Sequence, residues 1–376
     1  MKLLMAIVVS MAAACSGSSP QEPIIKPTDG TQPIAIVNVN VVPMDTERVL
    51  ASQTVIVREG RIAQMGSSST VTPPADAVVI DARGNYLIPG LIDMHVHIRS
   101  AEIEEYLRAG VTSVRNLWGY NELPAIMRDI DNGTRRGPKI FSLTAGFDGS
   151  PPFWPQTQVS DDATVIAPLI DRQYELGFRE VKVYQKLTRA AYDTIVAIAG
   201  RKGMTFAGHT PSLVGLNHVL ASGQRSIEHL GGYSASSNLN AQVAATVQAG
   251  TYNCPTMAIL AMLNPGSVAA SNRQIVGALH RAGARLLVGT DSGIDRTQPG
   301  VSIYDELDEF VAAGLTPYQA LLGATRTGAE YLGQTANIGG IATGMEADLV
   351  LLRANPLNDV RAVRGVRAVI HDGKVF

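Results

Sequence analysis

Cysteine is scarce in this chain, because Cys15 and Cys254 are the only two among 376 residues. This excludes a framework of disulfide bonds within the chain, and Cys254, in an apolar run, is expected to be a small buried hydrophobic residue. Aromatic residues make up only 5%, and the formal net charge is only -2. Without a basic run, or a basic patch interleaved with aromatics, nucleic-acid binding has no electrostatic support. The 45% of hydrophobic residues instead predict a large buried core.

The first residues have the pattern of an export signal. Lys2 precedes an apolar run over residues 3–14 that is too short to span a bilayer as a mature helix. Because the run ends in small residues followed by Cys15, residues 1–14 resemble a bacterial lipoprotein signal peptide, with Cys15 as the lipidated N-terminus. An ordinary secretory signal cleaved nearby is the alternative. Both predict an exported protein of the bacterial periplasm or cell envelope. In the lipoprotein case, a lipid anchor is the only membrane contact expected.

Residues 15–32 are rich in Ser, Pro and Gly and are expected to be a linker. Short β-branched runs typical of strands follow the linker and return at the end of the chain, over residues 34–42, 54–58, 61–65, 78–80, 347–352, 366–371 and 374–376. The economical interpretation is one small composite β-sandwich, built from residues 33–86 and 342–376.

Between these two segments, over residues 87–341, apolar strand candidates alternate with segments of helical spacing. The candidates cover residues 91–98, 111–117, 140–145, 180–185, 205–210, 225–230, 251–255 and 286–291. Eight strands alternating with helices over about 250 residues match the order and size of a (β/α)8 barrel. The predicted fold class is therefore α/β: a TIM-like barrel with the composite β-sandwich formed from both chain ends.

Side chains that can bind metals collect at the C-terminal ends of these strand candidates, where barrel enzymes place their active sites. Alternation along a strand puts the imidazoles of His95 and His97 on the same face. The other members of this group are Lys182, His209, His229 and Asp291. Imidazoles together with one carboxylate suit a cation such as Zn²⁺. A structural or solvent-facing position is expected for the three remaining histidines, His218, His280 and His371.

Four motifs resemble those of the amidohydrolase superfamily, in the same order. The run Ile-Pro-Gly-Leu-Ile-Asp-Met-His-Val-His that ends at His97 resembles its opening motif. Ala-Gly-His-Thr around His209, Ser-Ile-Glu-His ending at His229 and Gly-Thr-Asp-Ser around Asp291 resemble its later ligand motifs. Val-Lys-Val-Tyr around Lys182 is similar to the imidazolonepropionase-like branch, which includes Xaa-Pro dipeptidases. With a tail that resembles the segment returning to the β-sandwich, the likeness covers nearly all of the chain beyond residue 33.

The resemblance implies hydrolysis of an amide-like C–N bond by metal-activated hydroxide. It implies that one metal is bound by His95, His97 and Asp291 and a second by His209 and His229. Carboxylated Lys182 would bridge the two metals, and an unmodified lysine near a single metal is the alternative. Asp291 would also be catalytic, taking a proton from the attacking water and delivering it to the leaving nitrogen. The implied cofactor is a divalent metal, with zinc expected, two per protomer or one.

A small molecule is the expected substrate, and a dipeptide or an N-acyl amino acid is the first candidate. Arg115, Tyr184 and Arg296 could clamp a substrate carboxylate through charge-assisted hydrogen bonds. Arg115 could equally pair with a barrel carboxylate, and Arg296 could be solvated. Phe153 and Trp154, in the loop after the third strand, could form an apolar wall over the site or cover the outside of the barrel.

Two other functions stay open at this point. The same centre could hydrolyse a lactone, a carbamate or a cyclic amide, because the metal chemistry is shared and specificity lies in the loops. A non-catalytic exported metal-binding barrel is the non-enzymatic alternative, although a site that has lost catalysis usually lacks a ligand and this set is complete. The sequence is also compatible with an oligomer.

Overall fold

The computed structural model describes residues 25–376. The predicted signal peptide, the predicted lipidation site Cys15 and the first part of the predicted linker lie outside the described residues, and they stay predictions. Within the described residues, no helix combines the length and the apolar character that a membrane span requires.

The strands of the described chain are β1 (Ile34–Val41), β2 (Leu50–Arg58), β3 (Arg61–Ser67), β4 (Val78–Asp81), β5 (Tyr86–Pro89), β6 (Leu91–Val96), β7 (Val111–Asn116), β8 (Lys139–Ser142), β9 (Gly146–Asp148), β10 (Gln158–Val159), β11 (Glu180–Val183), β12 (Thr205–Gly208), β13 (Ser226–Glu228), β14 (Tyr252–Cys254), β15 (Leu349–Leu352), β16 (Val366–His371) and β17 (Lys374–Val375). The helices are α1 (Ile103–Arg108), α2 (Leu123–Asp131), α3 (Ala163–Glu175), α4 (Arg189–Arg201), α5 (Leu216–Ala221), α6 (Leu239–Ala249), α7 (Met257–Leu263), α8 (Ser267–Arg281), α9 (Ser302–Ala312), α10 (Pro317–Gly323) and α11 (Arg326–Leu332). Short 3-10 helices cover Ser100–Glu102 and Val360–Arg364.

Strands from both ends of the described chain pair in one eight-stranded sheet. Its order is β17-β16-β15-β5-β1-β2-β3, with β4 beside β1. The junction is the antiparallel pairing of β5 with β15, in which Ile88 lies opposite Val350. Apolar side chains from both ends, among them Ile36, Val55 and Leu351, share one buried cluster. The two ends therefore form the composite unit that the β-branched runs indicated, and β5 runs past the predicted boundary at residue 86.

Parallel strands form the middle of the chain. β6, β7 and β8 make one sheet, and β10, β9, β11, β12, β13 and β14 make another. Residues 285–292 lie between the two: Leu287 N donates to the Asn253 carbonyl at 2.8 Å, and Met94 N donates to the Val288 carbonyl at 2.9 Å. Every residue of β6 and β7 is buried, as expected for strands covered by helices on one side and by a barrel interior on the other. This arrangement is the predicted (β/α)8 barrel.

Two of the predicted barrel strands are less regular than expected. Residues 286–291 make only isolated bridges, because Thr290 N donates to the Asp93 carboxylate at 3.0 Å and Asp291 has a φ of 60°, which ends the extended conformation. The third candidate, residues 140–145, is a strand only as far as the end of β8, and β9 begins just beyond it. Thr144 N, between the two strands, donates to the Glu180 carbonyl of β11 at 2.9 Å. The polar ends of these strands therefore have more turn-like backbones than their apolar starts.

Local capping explains where several barrel helices begin. The hydroxyl of Thr188 accepts a hydrogen bond from Ala191 N at 3.2 Å and starts α4. A capping box formed by Thr316 and Gln319, with Pro317 at the first helical position, starts α10. The start of α4 fixes the length of the loop that follows β11 at the rim of the barrel, and the start of α10 fixes its connection to α9.

Candidate metal centre

The side chains predicted to hold metal converge at the C-terminal end of the barrel strands. His97 Nε2 lies 2.9 Å from Asp291 Oδ1, and His95 Nε2 lies 3.2 Å from the same oxygen. His229 Nδ1 lies 4.0 Å from Asp291 Oδ2. Ligand atoms of His95, His97 and Asp291 all lie within 4.8 Å of one another. His95 and His97 thus lie on the same face of their strand, as alternation predicted. Asp291 joins them although nearly 200 positions separate it from them in the sequence.

His209 and Lys182 complete the cluster. The ring centroid of His209 lies 4.7 Å from that of His229, which in turn lies 4.6 Å from that of His95. Lys182 is fully buried in β11, and this burial lowers the pKa of its amine to about 8. A lysine with a lowered pKa has a larger neutral fraction near neutral pH, and the neutral amine is the form that carboxylation requires.

Three buried polar atoms of the cluster have no hydrogen-bond partner among the described residues: His95 Nε2, His209 Nδ1 and Lys182 Nζ. His95 Nε2 is close to Asp291 but is not aligned for a hydrogen bond to it. Buried polar groups without partners are costly and rare, so these atoms indicate an additional binding partner. Imidazole nitrogens with a carboxylate and a low-pKa lysine fit a divalent cation, and the residues present therefore fit the predicted metal.

Burial also keeps the imidazoles in the form that binds metal. It lowers the pKa of His97. It also lowers the pKa of His209 well below the usual value and the pKa of His229 to about 3. Neutral imidazole is the ligand form, so the cluster does not need to lose protons from these rings at neutral pH.

Strained backbone supports the cluster. His229, Asp291 and Thr256 have φ values of 59°, 60° and 48°, a left-handed region that non-glycine residues adopt at a cost. Thr256 Oγ1 lies 2.7 Å from His229 Nδ1 and orients that ring. At Gly208, directly before His209, a Cβ would lie 2.1 Å from the Val183 carbonyl, so only glycine allows β12 this close to β11.

A second polar layer lies beneath the cluster, around Arg115. Its guanidinium is fully buried and donates to Glu180 at 3.3 Å, to Glu228 at 3.1 Å and to the Tyr331 hydroxyl at 2.7 Å. Glu228 also contacts His95, with Oε2 lying 2.8 Å from Nδ1. Arg115 does not reach the cavity above the cluster, so the structure favours its pairing with barrel carboxylates over the substrate contact that the sequence also allowed.

Asp93 joins two of the segments that carry candidate ligands, β6 and residues 286–291. Its carboxylate accepts hydrogen bonds from His95 N at 3.2 Å, from Thr290 N at 3.0 Å and from Thr290 Oγ1 at 2.6 Å. Burial raises the pKa of this carboxyl to about 7. Its position holds β6 against the segment that ends at Asp291.

A cavity of about 960 Å³ opens above the cluster. His97, His209, His229 and Asp291 line it, together with five aromatic side chains, Trp118, Tyr120, Phe153, Trp154 and Tyr184. The Tyr184 hydroxyl accepts a hydrogen bond from Trp154 Nε1 at 2.8 Å. Phe153 and Trp154 thus form a wall of the site, the first of the two positions that the sequence allowed. Arg296 is exposed and does not line the cavity.

The other predicted residues have structural positions. Cys254 is free and buried, as expected. His218 contacts Asp193, and His371 Nδ1 lies 2.7 Å from Asp348.

The sequence alone predicts no role for Asp93, Glu228, Thr256 or Trp118. The alternation of side chains along a strand could have indicated the first two. Asp93 lies two residues before His95 and Glu228 two residues after Ser226, so each faces the barrel interior with that neighbour. Thr256 and Trp118 lie beyond strand ends, where no periodicity applies.

The fold and this cluster define a class, a (β/α)8 barrel with a candidate metal centre at its C-terminal face. The family model described as "Amidohydrolase family" matches residues 86–376, and the chain belongs to this family. The family membership predicted from the motifs is thereby confirmed.

Curated relatives include adenine deaminase 2 of Rhizobium etli, which is 28% identical over 350 residues, 87% of this chain and 55% of that protein. Adenine deaminase of Nitratidesulfovibrio vulgaris is 27% identical over 354 residues, 85% of this chain and 58% of that protein. The chain therefore spans only slightly more than half the length of these relatives.

Solved structures resemble the chain over nearly its whole length. A Bifidobacterium longum protein provisionally assigned as a prolidase has a TM-score of 0.80 and 25% identity, covering 92% of this chain and 94% of that chain. A Xaa-Pro dipeptidase with methionine bound in its active site has a TM-score of 0.77 and 19% identity, covering 92% and 99%. The second likeness shows the fold alone.

Proposed function

We propose that this chain hydrolyses an amide-like C–N bond in a dipeptide or an N-acyl amino acid, with divalent cations, zinc first among them, held at the candidate metal centre. The observation that carries the proposal is the convergence of four histidines, Lys182 and Asp291, among which three buried polar atoms have no partner in the described residues. A mere structural role would leave those atoms with an uncompensated cost.

The contacts support the ligand assignment that the resemblance to the family implied. His95, His97 and Asp291 would hold one cation, and His209 and His229 would hold the other. Lys182, carboxylated on its amine, would bridge them. When bound, such cations lower the pKa of water and polarise a carbonyl group.

The residues of the chain would handle the proton. Asp291 contacts two imidazoles and also lines the cavity, so its carboxylate can accept the proton of an attacking water. The same carboxyl group would deliver that proton to the leaving nitrogen. This placement makes Asp291 the catalytic residue of the proposal.

Tyr184 would contact the substrate. Its hydroxyl accepts from Trp154 Nε1, which leaves its own proton for an acceptor in the cavity. A carbonyl or carboxylate oxygen of a dipeptide fits this donor. Trp154 then acts on the substrate both directly, as part of the cavity wall, and through the orientation of Tyr184.

Deamination of an aminopurine is the second candidate function. Adenine deaminases are among the curated relatives, and hydrolysis of an exocyclic C–N bond uses the same kind of centre. The likeness to the prolidase-type structure covers 94% of that chain, whereas this chain spans only 55% to 58% of the adenine deaminases. The structural likeness therefore supports a peptide-like substrate more directly than these relatives support adenine.

The deciding experiment combines metal analysis with a substrate panel. The purified protein and its Asp291→Asn variant would be assayed for bound metal and for hydrolysis of Xaa-Pro dipeptides, N-acetyl amino acids, a lactone, a carbamate and adenine. We expect amide hydrolysis that falls by roughly 10²–10⁴-fold in the variant. Well-metallated protein that is inert toward the whole panel would support a non-catalytic barrel, and turnover of adenine alone would support deamination.

We also propose that the protein acts in the cell envelope, anchored through lipidated Cys15. The support is the sequence of residues 1–15, with its lysine, apolar run and small residues before the cysteine. Metabolic labelling with a fatty acid should mark the parent protein and not a Cys15→Ser variant. Labelling of both, or of neither, would contradict the anchor.

A further inference from the structure

Four aromatic side chains form a continuous surface on one side of the cavity. Trp118 lies 5.8 Å from Tyr184, Tyr184 lies 6.0 Å from Phe153, and Phe153 lies 5.1 Å from Trp154, all between ring centroids. We call these four residues the aromatic wall. Aromatic residues are only 5% of the chain, and the wall contains both of its tryptophans.

The aromatic wall reaches the candidate metal centre. The ring of Tyr184 lies 4.0 Å from that of His209, and the ring of Trp118 lies 6.2 Å from that of His97. A substrate whose scissile bond lies at the cluster would therefore place the neighbouring side chain against the wall.

The outer half of the wall is held in place by its own loop. Asp148, which is fully buried, accepts hydrogen bonds from Phe153 N at 3.1 Å and from Lys186 N at 2.6 Å. The ammonium group of Lys186 donates to the Pro151 carbonyl at 2.6 Å. Because these contacts tie the loop to the end of β11, the wall exists before a substrate arrives, which reduces the entropy cost of binding.

The wall exposes apolar surface without a protein partner. Phe153 is 52% exposed and Trp154 is 40% exposed, and Leu263 of α7, at 50%, also lines the cavity. Apart from the members of the metal centre, the charged side chains that line the cavity are Arg99, Glu122 and Asp295, which are all exposed. Exposed apolar surface at a concave site is typical of a ligand-binding surface.

We propose that the aromatic wall is the specificity surface of this protein and binds an aromatic or large aliphatic side chain next to the scissile bond. The inference rests on the proposed function for the position of that bond. Rings bind such groups through apolar burial and edge or stacking contacts, and the wall itself contains no carboxylate that would favour a cationic side chain.

Kinetics on matched substrates test the inference. N-acetyl-L-phenylalanine and N-acetyl-L-alanine would be compared in the parent, in Phe153→Ala and in Trp154→Ala, with Val165→Ala as the control. Val165 is 39% exposed on α3 and does not line the cavity. We expect the parent to prefer the phenylalanine substrate, each wall variant to lose about tenfold of that preference, and the control to keep it.

A binding measurement separates this inference from the proposed function. Both tryptophans lie in the wall. The intrinsic fluorescence of the parent and of Phe153→Ala should therefore report the binding of N-acetyl-L-phenylalanine and of N-acetylglycine, and this readout does not depend on turnover. Tighter binding of the aromatic ligand that is lost in Phe153→Ala supports the wall even if no amide is hydrolysed.

The inference would be overturned if hydrolysis and binding did not distinguish the phenylalanine compound from the small one, or if that preference were unchanged in the wall variants. Either result would leave the proposed function intact. A preference for N-acetyl-L-lysine over N-acetyl-L-leucine would also overturn the inference, because the wall would then be selecting cations.

Discussion

The carboxylate of Glu228 lies 2.8 Å from Nδ1 of His95, with both side chains fully buried. An ionised carboxylate can only accept, so Nδ1 carries a proton, which leaves Nε2 as the nitrogen of His95 that could bind a metal. Arg115 in turn holds Glu228 from below at 3.1 Å. The orientation of His95, a candidate metal ligand, is therefore set by a carboxylate outside the predicted ligand set.

A Glu228→Gln variant should bind metal at least tenfold more weakly than the parent, since partners that orient a ligating histidine typically contribute 10- to 100-fold to affinity. The change removes the charge that favours the Nδ1–H tautomer of His95. Competition with a chelator gives the affinity. Glu180→Gln is the matched control, because it also removes a carboxylate from Arg115 but leaves His95 untouched. Equal losses in both variants would assign the effect to Arg115 and not to the tautomer.

Lys182→Ala should lower the bound metal from about two per protomer, the number that a bridging carboxylated lysine serves. Metal analysis after exhaustive dialysis measures it. Lys186→Ala is the comparison variant, because Lys186 lies four residues on and its ammonium group bonds to Pro151. One metal in the parent, unaffected by the loss of Lys182, would indicate a mononuclear centre with an unmodified lysine.

Arg115→Met should destabilise the protein by about 3–5 kcal/mol, because it leaves the buried carboxylates of Glu180 and Glu228 without their cation. Denaturant unfolding measures the loss. Arg296→Ala, an exposed change, should stay within about 0.5 kcal/mol of the parent and leave KM unchanged. A stable Arg115→Met variant with only a raised KM would restore Arg115 as a substrate contact.

His371 should give the protein a pH-dependent contribution to stability. Its Nδ1 contacts Asp348 at 2.7 Å and its Nε2 contacts the Gly137 carbonyl at 3.1 Å, two groups that only accept, so both ring nitrogens donate and the ring is cationic. Burial alone would lower the pKa of His371, but Asp348 and the carbonyl raise it above the usual 6.5.

A group with a raised pKa in the folded state stabilises fully below its unfolded pKa and loses that effect as the pH rises through the folded value. The free energy of unfolding of the parent should therefore exceed that of His371→Gln most at about pH 6, and the difference should shrink above about pH 6.5. Denaturant titrations at several pH values measure the difference. A gap that is constant from about pH 6 to about pH 9 would mean that the ring is neutral.

The convergence of the candidate ligands could be predicted because it depends on two regular features of the sequence. Apolar runs located the strands, and the C-terminal ends of the parallel strands of a barrel all lie at the same rim. His95, His209 and His229, at three such ends, were therefore expected to converge. The strand around Asp291 was predicted to be regular and is not, because its backbone bonds to the side chain of Asp93. Contacts between side chains and backbone of distant strands have no periodic signature.

The roles of Arg115 and of the aromatic wall were also beyond the sequence. A lone arginine in a strand is compatible with the barrel interior or with the cavity, and only the positions of Glu180 and Glu228 decide between them. Phe153 and Trp154 lie in a loop whose course is fixed by Asp148 and Lys186, through bonds that no pattern in the sequence indicates.

The pairing of β5 with β15 also has a consequence for biosynthesis. β5 directly precedes the strand that carries His95, yet its partner Leu349–Leu352 is made some 260 positions later. While the ribosome elongates the chain, the edge of β5 stays open, and such an edge is prone to pair with other chains. A nascent chain of this protein should therefore need protection, by a chaperone or by delayed folding, until β15 has emerged.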